Sequence, residues 1–285
     1  MDEHEIFAWF ELFDWALTPE EYTAFGVGVP KGAIIKDGFV VAPGYEDLAW
    51  ARRRKTQWAW RKLKKARRWS RAFTCVPFVR MIAVGNALGY GNCRNEGDID
   101  LIVITAPHRV WLVRLFIVGL LRVFRQRPGE HGRDALCPSF FLTTEAMDFE
   151  SLQIEGNSNE RFPRDPDFLF WLTHFTVLYD RDDTYAAFWR ANEVWVRRWL
   201  PHMQPRGMHP RMGRRSQRCR LTARSSWLDT LERWARIFQE QRFPIEIRSM
   251  MNMNNHVIVN DKMIKLHTND RRAEYRDRWL TTLRT

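Results

Sequence analysis

The chain has 285 residues and a mass of 34.1 kDa, enough for one large or two modest domains. Its 45% hydrophobic and 28% charged residues exclude a disordered or fibrous chain. Lysine and arginine number 45 against 34 aspartates and glutamates, and the resulting +11 points to a polyanionic partner. The cysteines, Cys75, Cys93, Cys137 and Cys219, are scattered without a CxxC pair. That spacing argues against a zinc site or a disulfide framework and for a reducing, cytoplasmic setting. The acidic start, Met1 to Phe10, lacks the features of a signal peptide, and the most apolar run, Val110 to Leu121, is interrupted by Arg114. It is shorter than the ~20 residues a membrane span needs, so no membrane partner is expected. The 14 tryptophans are first of all core residues, with base stacking as the alternative for any one of them.

Residues 1–45 outline a small unit of two helices and a hairpin. Glu5 to Trp15 is densely apolar and helical in pattern. Thr18-Pro19-Glu20-Glu21 starts a second helix, because Thr18 can cap it, Pro19 suits the first turn and Glu21 completes a capping box. Two apolar runs then flank Asp37-Gly38, the signature of a two-residue hairpin turn. Helix, helix and wing resemble a winged-helix unit, although Gly26–Gly32 is too short for an evident third helix. Residues 46–78 are dominated by a basic amphipathic helix, Tyr45 to Phe73. Trp58, Ala59, Leu63, Ala66, Trp69 and Phe73 share one face; Arg53, Arg54, Arg61, Lys64, Lys65, Arg68 and Arg71 share the other. The cationic face is either a solvated surface or a holder of phosphates, in a triphosphate or a nucleic acid.

Residues 79–156 carry the chemistry. Met81 to Val84 is a buried-strand pattern that breaks into the turn Gly85-Asn86-Ala87-Leu88-Gly89-Tyr90-Gly91-Asn92, and Asp98-Ile99-Asp100 then opens a second apolar strand. Side chains alternate along a strand, so Asp98 and Asp100 share a face with α-carbons about 6.6–7 Å apart, a spacing that can bracket a divalent metal. Ionised groups at the edge of so apolar a strand are costly without a cation. Glycines let backbone N–H groups approach phosphate closely. His108 to Arg125 follows as a mostly buried helix, and Leu136 to Leu142 as a strand whose Pro138 suits an edge position. In residues 157–285 the pattern is helical over Asp167–Asp180, Thr184–Leu200 and Ser225–Arg242. Pro201 to Arg224 is a loop in which His202 and His209 lie on the surface. The last segment, from His256, returns toward the cleft, and its Asp270-Arg271-Arg272 is either a surface ion-pair cluster or a phosphate binder.

A glycine turn ending one strand, followed some ten residues later by Asp-Ile-Asp on the next, resembles the nucleotidyltransferase superfamily related to DNA polymerase β. The chain looks closest to a poorly characterised bacterial group within it. The wing Gly38-Phe39, Val79-Arg80-Met81, Cys137-Pro138-Ser139-Phe140 and the tail His267-Thr268-Asn269-Asp270-Arg271-Arg272 are similar to that group, so the resemblance runs patchily from Thr18 to Trp279. It implies an α+β fold: a small mixed β-sheet nucleotidyltransferase core, a winged-helix-like front and a helical C-terminal part. It also implies metal-dependent transfer of a nucleoside monophosphate from an NTP to an acceptor. Asp98 and Asp100 would hold Mg²⁺ or Mn²⁺, and Gly85, Asn86 and Ala87 would line the phosphates, with Asn92 a further candidate. Two departures accompany the resemblance. The family's serine hydroxyl is missing from the turn, and the strand that should carry a third carboxylate has none, the nearest acids being Asp134 and Glu145. A catalytically degenerate protein that binds nucleotide or nucleic acid is therefore the alternative. Neither the oligomeric state nor the acceptor follows from the sequence.

Overall fold

The computed structural model describes residues 1–155, 161–206, 213–216 and 226–284. Helix α1 (Glu3–Glu11) and helix α2 (Pro19–Phe25) each begin with a reciprocal capping box. Asp2 with Glu5 closes the first and Thr18 with Glu21 the second, both sides of each box lying between 2.9 and 3.2 Å. Helix α1 stops at Glu11, short of the expected Trp15, because Asp14 turns the chain with a φ of 52°. Strands β1 (Ile34–Lys36) and β2 (Phe39–Val41) pair across Asp37 and Gly38, whose φ values of 52° and 85° suit a type I′ turn. No helix forms between α2 and β1. The chain instead enters α3 (Asp47–Phe73), which buries Ala49, Ala59, Ala66 and Phe73.

Six more elements complete the middle of the chain: β3 (Val79–Val84), the one-turn α4 (Asn86–Gly89), β4 (Ile99–Thr105), α5 (Val110–Val123), β5 (Leu136–Thr143) and α6 (Pro166–Thr173). They are followed by β6 (Thr176–Arg181), α7 (Thr184–Trp199), β7 (Arg214–Ser216), α8 (Ser226–Glu240), α9 (Ile245–Met250), β8 (Val257–Val259), β9 (Met263–Leu266) and α10 (Arg272–Thr282). Among the described residues, seven strands form one mixed sheet in the order β7-β6-β3-β4-β5-β9-β8, in which β4/β5 and β6/β7 are parallel and the other pairs antiparallel. Both faces are covered, which explains why β4 reads as a continuous apolar run. Ile102 and Ile104 pack on one side with Phe140, Trp171 and the rings of α1 and α6. Leu101 and Val103 pack on the other with Trp111, Val113 and Ile117 of α5.

The segment beyond residue 157 is not simply helical. Asp167–Asp180, expected as one helix, is α6 followed by strand β6, which pairs with β3 from Thr176↔Val84 to Asp180↔Met81. Phe175-Thr176-Val177-Leu178-Tyr179 is β-branched and aromatic, and a free strand edge on β3 selects its extended form over the helical period. Strands β7, β8 and β9 join the same sheet, so the late chain supplies four of its seven strands. Much of the expected Pro201–Arg224 loop, including His209, lies outside the described residues; His202 is exposed. Pro138 sits where β5 is bulged against β4 and lies outside the β9 pairing, which covers only Phe140 to Leu142. Among the described residues, no helix is long and apolar enough to cross a membrane.

Among the described glycines, Gly89 leaves the least room for a side chain. A Cβ there would stand 2.2 Å from the carbonyl oxygen of His174, which belongs to the backbone and cannot move aside. Gly89→Ala is expected to lower stability by about 2–4 kcal/mol, read as a shifted urea midpoint at unchanged slope. A variant as stable as the parent would contradict this packing.

Candidate active site

Asp98 is exposed immediately before β4, and Asp100 is half-buried within it on the face shared with Ile102. Burial pushes both carboxyls above their ordinary range, and repulsion from Asp98 helps carry Asp100 up to about 6. The glycine turn reaches Asp100 directly: Asn86 Nδ2 donates to Asp100 Oδ2 at 2.6 Å. Asn86 can do this because it stands in the left-handed region at a φ of 52°. Gly85 before it is held by packing, since a Cβ at that position would lie 2.9 Å from Trp171 Nε1.

A cleft of about 500 Å³ opens at this edge of the sheet, lined by Asn86, Asp100 and residues of α6, β9 and α10. A second compartment of about 640 Å³ adjoins it, walled by Trp9, Phe13, Trp15 and Tyr90. Asn86, Arg94, Asp167, Trp171, Arg271 and Tyr275 line both. Of the turn residues expected at the phosphates, Asn86 lies between the two compartments. Ala87 and Asn92 line only the aromatic one, and Gly85 lines neither. Asn92 is buried, and its carboxamide nitrogen and oxygen have no hydrogen-bond partner among the described residues.

Neither acid flanking β5 completes a carboxylate triad. Asp134 is occupied by α3: Arg61 Nε lies 2.7 Å from Oδ2 and Lys62 Nζ 2.5 Å from Oδ1. Burial alone would raise its carboxyl, but these two hydrogen bonds overcome that and lower it to about 2. Glu145 is exposed beyond the opposite end of β5, 4.0 Å from Lys262. Cys137 is the β5 residue paired with Asp100, and burial together with the Asp100 charge raises its thiol to about 12. Among the described residues, no cluster of three or more His, Cys, Asp and Glu side chains is arranged to hold a metal. Two carboxylates still suit a hard divalent cation, which usually takes one or two from the protein and the rest of its oxygens from water and phosphate.

The outer face of α3 also differs from the expectation. Arg61 turns inward to Asp134 and the carbonyl of Asn95, at 3.1 Å from the latter. Arg52 and Lys62 are buried, although they belong to the same basic run. Arg52 donates to the carbonyls of Ala16 and Tyr90, and Lys62 to that of Gly97, so this helix fixes both ends of the loop between the turn and Asp98. Arg53, Arg54, Lys64, Arg68 and Arg71 remain on the exposed side.

Periodicity could not reveal several cleft residues. Asp167 has its carboxyl raised to about 7 by burial and by the neighbouring charge of Asp165. His267, whose Nε2 lies 3.1 Å from Ser139 Oγ, is lowered to about 4 by burial and by Lys265. The expected surface cluster at Asp270-Arg271-Arg272 is largely internal. Arg272 is buried and bridges Asp270 at 2.7 Å and Asp165 at 2.6 Å, while Arg271 pairs on the surface with Glu274. Their nearness to Asp100 arises from the β5/β9 pairing, which joins residues more than a hundred positions apart. No protein-family model, curated protein or solved structure matches this chain.

Proposed function

We propose that the chain is a nucleotidyltransferase-like protein that moves a nucleoside monophosphate from an NTP to an acceptor hydroxyl, whose oxygen bonds the α-phosphorus as the α–β phosphoanhydride bond breaks and pyrophosphate leaves. The carrying observation is the placement of Asp100 in the lining of a cleft beside the Asn86 turn, with Asp98 exposed two residues before it and lining neither compartment. In this reading Asp98 and Asp100 would hold Mg²⁺ or Mn²⁺, and the chemistry such an ion would supply there is positive charge for the triphosphate and for the attacking oxygen. Arg94 and Arg271, which line both compartments, face the phosphates. Asn86 orients the Asp100 carboxylate. Asp167, at the junction and with a carboxyl near neutrality, is placed to accept the acceptor's proton. The aromatic compartment suits a planar base. The two N-terminal helices and the wing form the winged-helix-like front of this reading. Incubation with labelled NTPs, Mg²⁺ or Mn²⁺ and candidate acceptors should give transfer that Asp98→Asn/Asp100→Asn loses; equal labelling by that variant rejects the assignment.

A second reading is favoured by Cys137 standing where a third acid would strengthen the metal site: a catalytically degenerate protein that binds nucleic acid through the outer face of α3. Because Arg61 is engaged internally, the test belongs on the exposed cations. Lys64→Glu/Arg68→Glu is expected to weaken binding of a labelled RNA or DNA at least about tenfold at low salt, with little metal dependence. Unchanged binding by that variant removes this reading.

A further inference from the structure

Close to Asp100 stand a hydroxyl and a base that the proposed transfer leaves unused. Strand β5 is bulged there: Asp100 pairs with Cys137 and Ile102 with Phe140, so β5 advances three residues while β4 advances two. The bulge falls on Pro138 and Ser139. Proline suits it because no N–H is left without a ladder partner, and a bulge re-aims the side chain next to it. Pairing with β9 begins only at Phe140, so among the described strands none hydrogen-bonds to β5 on that side of Ser139. Ser139 is half-buried, and its Oγ lies 3.1 Å from Nε2 of His267, which lines the cleft of about 500 Å³. The Cys137 thiol also hydrogen-bonds Ser139. Burial and the Lys265 charge hold the imidazole neutral, so with its proton on Nδ1 the ring accepts the serine O–H at Nε2.

We infer that Ser139 is an acceptor in cis: the chain transfers a nucleoside monophosphate to its own Ser139 hydroxyl, with His267 as the general base. The inference rests on the nucleotidyl-transfer reading and names an acceptor for it. Ser139 Oγ bonds the α-phosphorus, the α–β phosphoanhydride bond breaks, and pyrophosphate leaves with that electron pair. The hydroxyl proton passes to His267 Nε2 and then to solvent. Three observations support the step. A nucleophile and a base already in hydrogen-bond contact are the pair it requires. Reach is the second. Neighbouring strands lie about 4.8 Å apart and each residue advances about 3.3 Å, which puts the Ser139 α-carbon about 8 Å from that of Asp100, a gap that a phosphate held beside Asp100 spans. Third, His267 lines the cleft and so gives the proton a way out. Asp167 remains the proton acceptor for a hydroxyl brought from outside, whereas Ser139 has its own in His267.

The test incubates the full chain with each NTP, radiolabelled at the α-phosphate, and Mg²⁺ or Mn²⁺, with no other acceptor added, followed by intact-mass measurement and peptide mapping. One nucleotidyl group per chain should appear on the peptide containing Ser139. It should be stable to mild acid, which a phosphoramidate on His267 would not survive. Ser139→Ala should lose the label, Ser139→Thr should keep it, and His267→Gln should slow labelling at least about 100-fold. Urea midpoints of the variants check that the fold persists, and mapping the label on the wild-type chain needs no variant to fold. Labelling of Ser139→Ala at the wild-type rate, a His267→Gln rate equal to wild type, or a wild-type chain that labels an added acceptor while Ser139 stays bare would each overturn the inference. The last of these leaves the transfer reading standing, whereas transfer to no acceptor at all removes both.

Discussion

If the proposed nucleotidyl transfer is this protein's reaction, Asp98→Asn/Asp100→Asn is expected to reduce it by about 10³-fold or more, since in that proposal charge stabilisation of the transferring group would rest on those two carboxylates. The same change should make the metal-free protein more stable, which separates lost chemistry from lost fold. Asp100 titrates at about 6 in the folded protein against an ordinary 3.8, so the folded state holds the proton more tightly than the unfolded chain. Its ionisation therefore costs nothing below pH 3.8, costs progressively more as the pH rises through 6, and costs most above it. At 1.4 kcal/mol per pKa unit, Asp100→Asn should gain about 1–3 kcal/mol at pH 8 in EDTA and almost nothing at pH 3.5. Thermal melts at the two pH values measure this. A variant that lost transfer and also stability at pH 8 would show that Asp100 supports the fold rather than the reaction.

Asp134→Asn is expected to have the opposite profile. It removes the acidic partner of Lys62, which is fully buried, and of Arg61, leaving a buried charge uncompensated at a cost of about 3–5 kcal/mol. Asp134 is lowered to about 2, so its contribution is complete above pH 3.8 and fades as the pH falls through 2. The denaturant midpoint should drop sharply at pH 7, and Lys62→Met added to Asp134→Asn should recover much of the loss. Were Asp134 instead a third metal carboxylate, the substitution would abolish transfer with the midpoint unmoved.

Local chemistry was legible where the sequence alone defines it. The capping box at Thr18 and Glu21, the Asp37-Gly38 turn and the reach of α3 to Phe73 depend on neighbours within a few residues, and each formed as the spacing implies. Arg61 was misplaced for a corresponding reason. Helical geometry puts it opposite Phe73, but whether that side meets solvent or a loop depends on where residues 95 and 134 come to rest. Helix α8 shows the same limit: its period was clear, and the side facing the protein was set by the unfilled N–H groups of α5.

Sequence alone determined the strand that carries Asp100 and directly follows Asp98, the glycine turn before it and the mixed α and β content, because side-chain alternation and turn conformation are local properties. Only the tertiary structure decided which groups meet those aspartates. Pairing of β9 with β5 carries His267 and the Arg272 network to the cleft, and the approach of α6 brings Asp167 and Trp171. It also decided that Asp134 serves α3 and that Cys137 faces Asp100, since strand register places them and no periodicity records it. The charge of +11 divides accordingly. Arg52, Arg61 and Lys62 anchor the loop that positions Asp98 and Asp100, and Arg53, Arg54, Lys64, Arg68 and Arg71 remain exposed along α3. Burial and nearby acceptors sort the cations into these two sets, and both are properties of the folded chain.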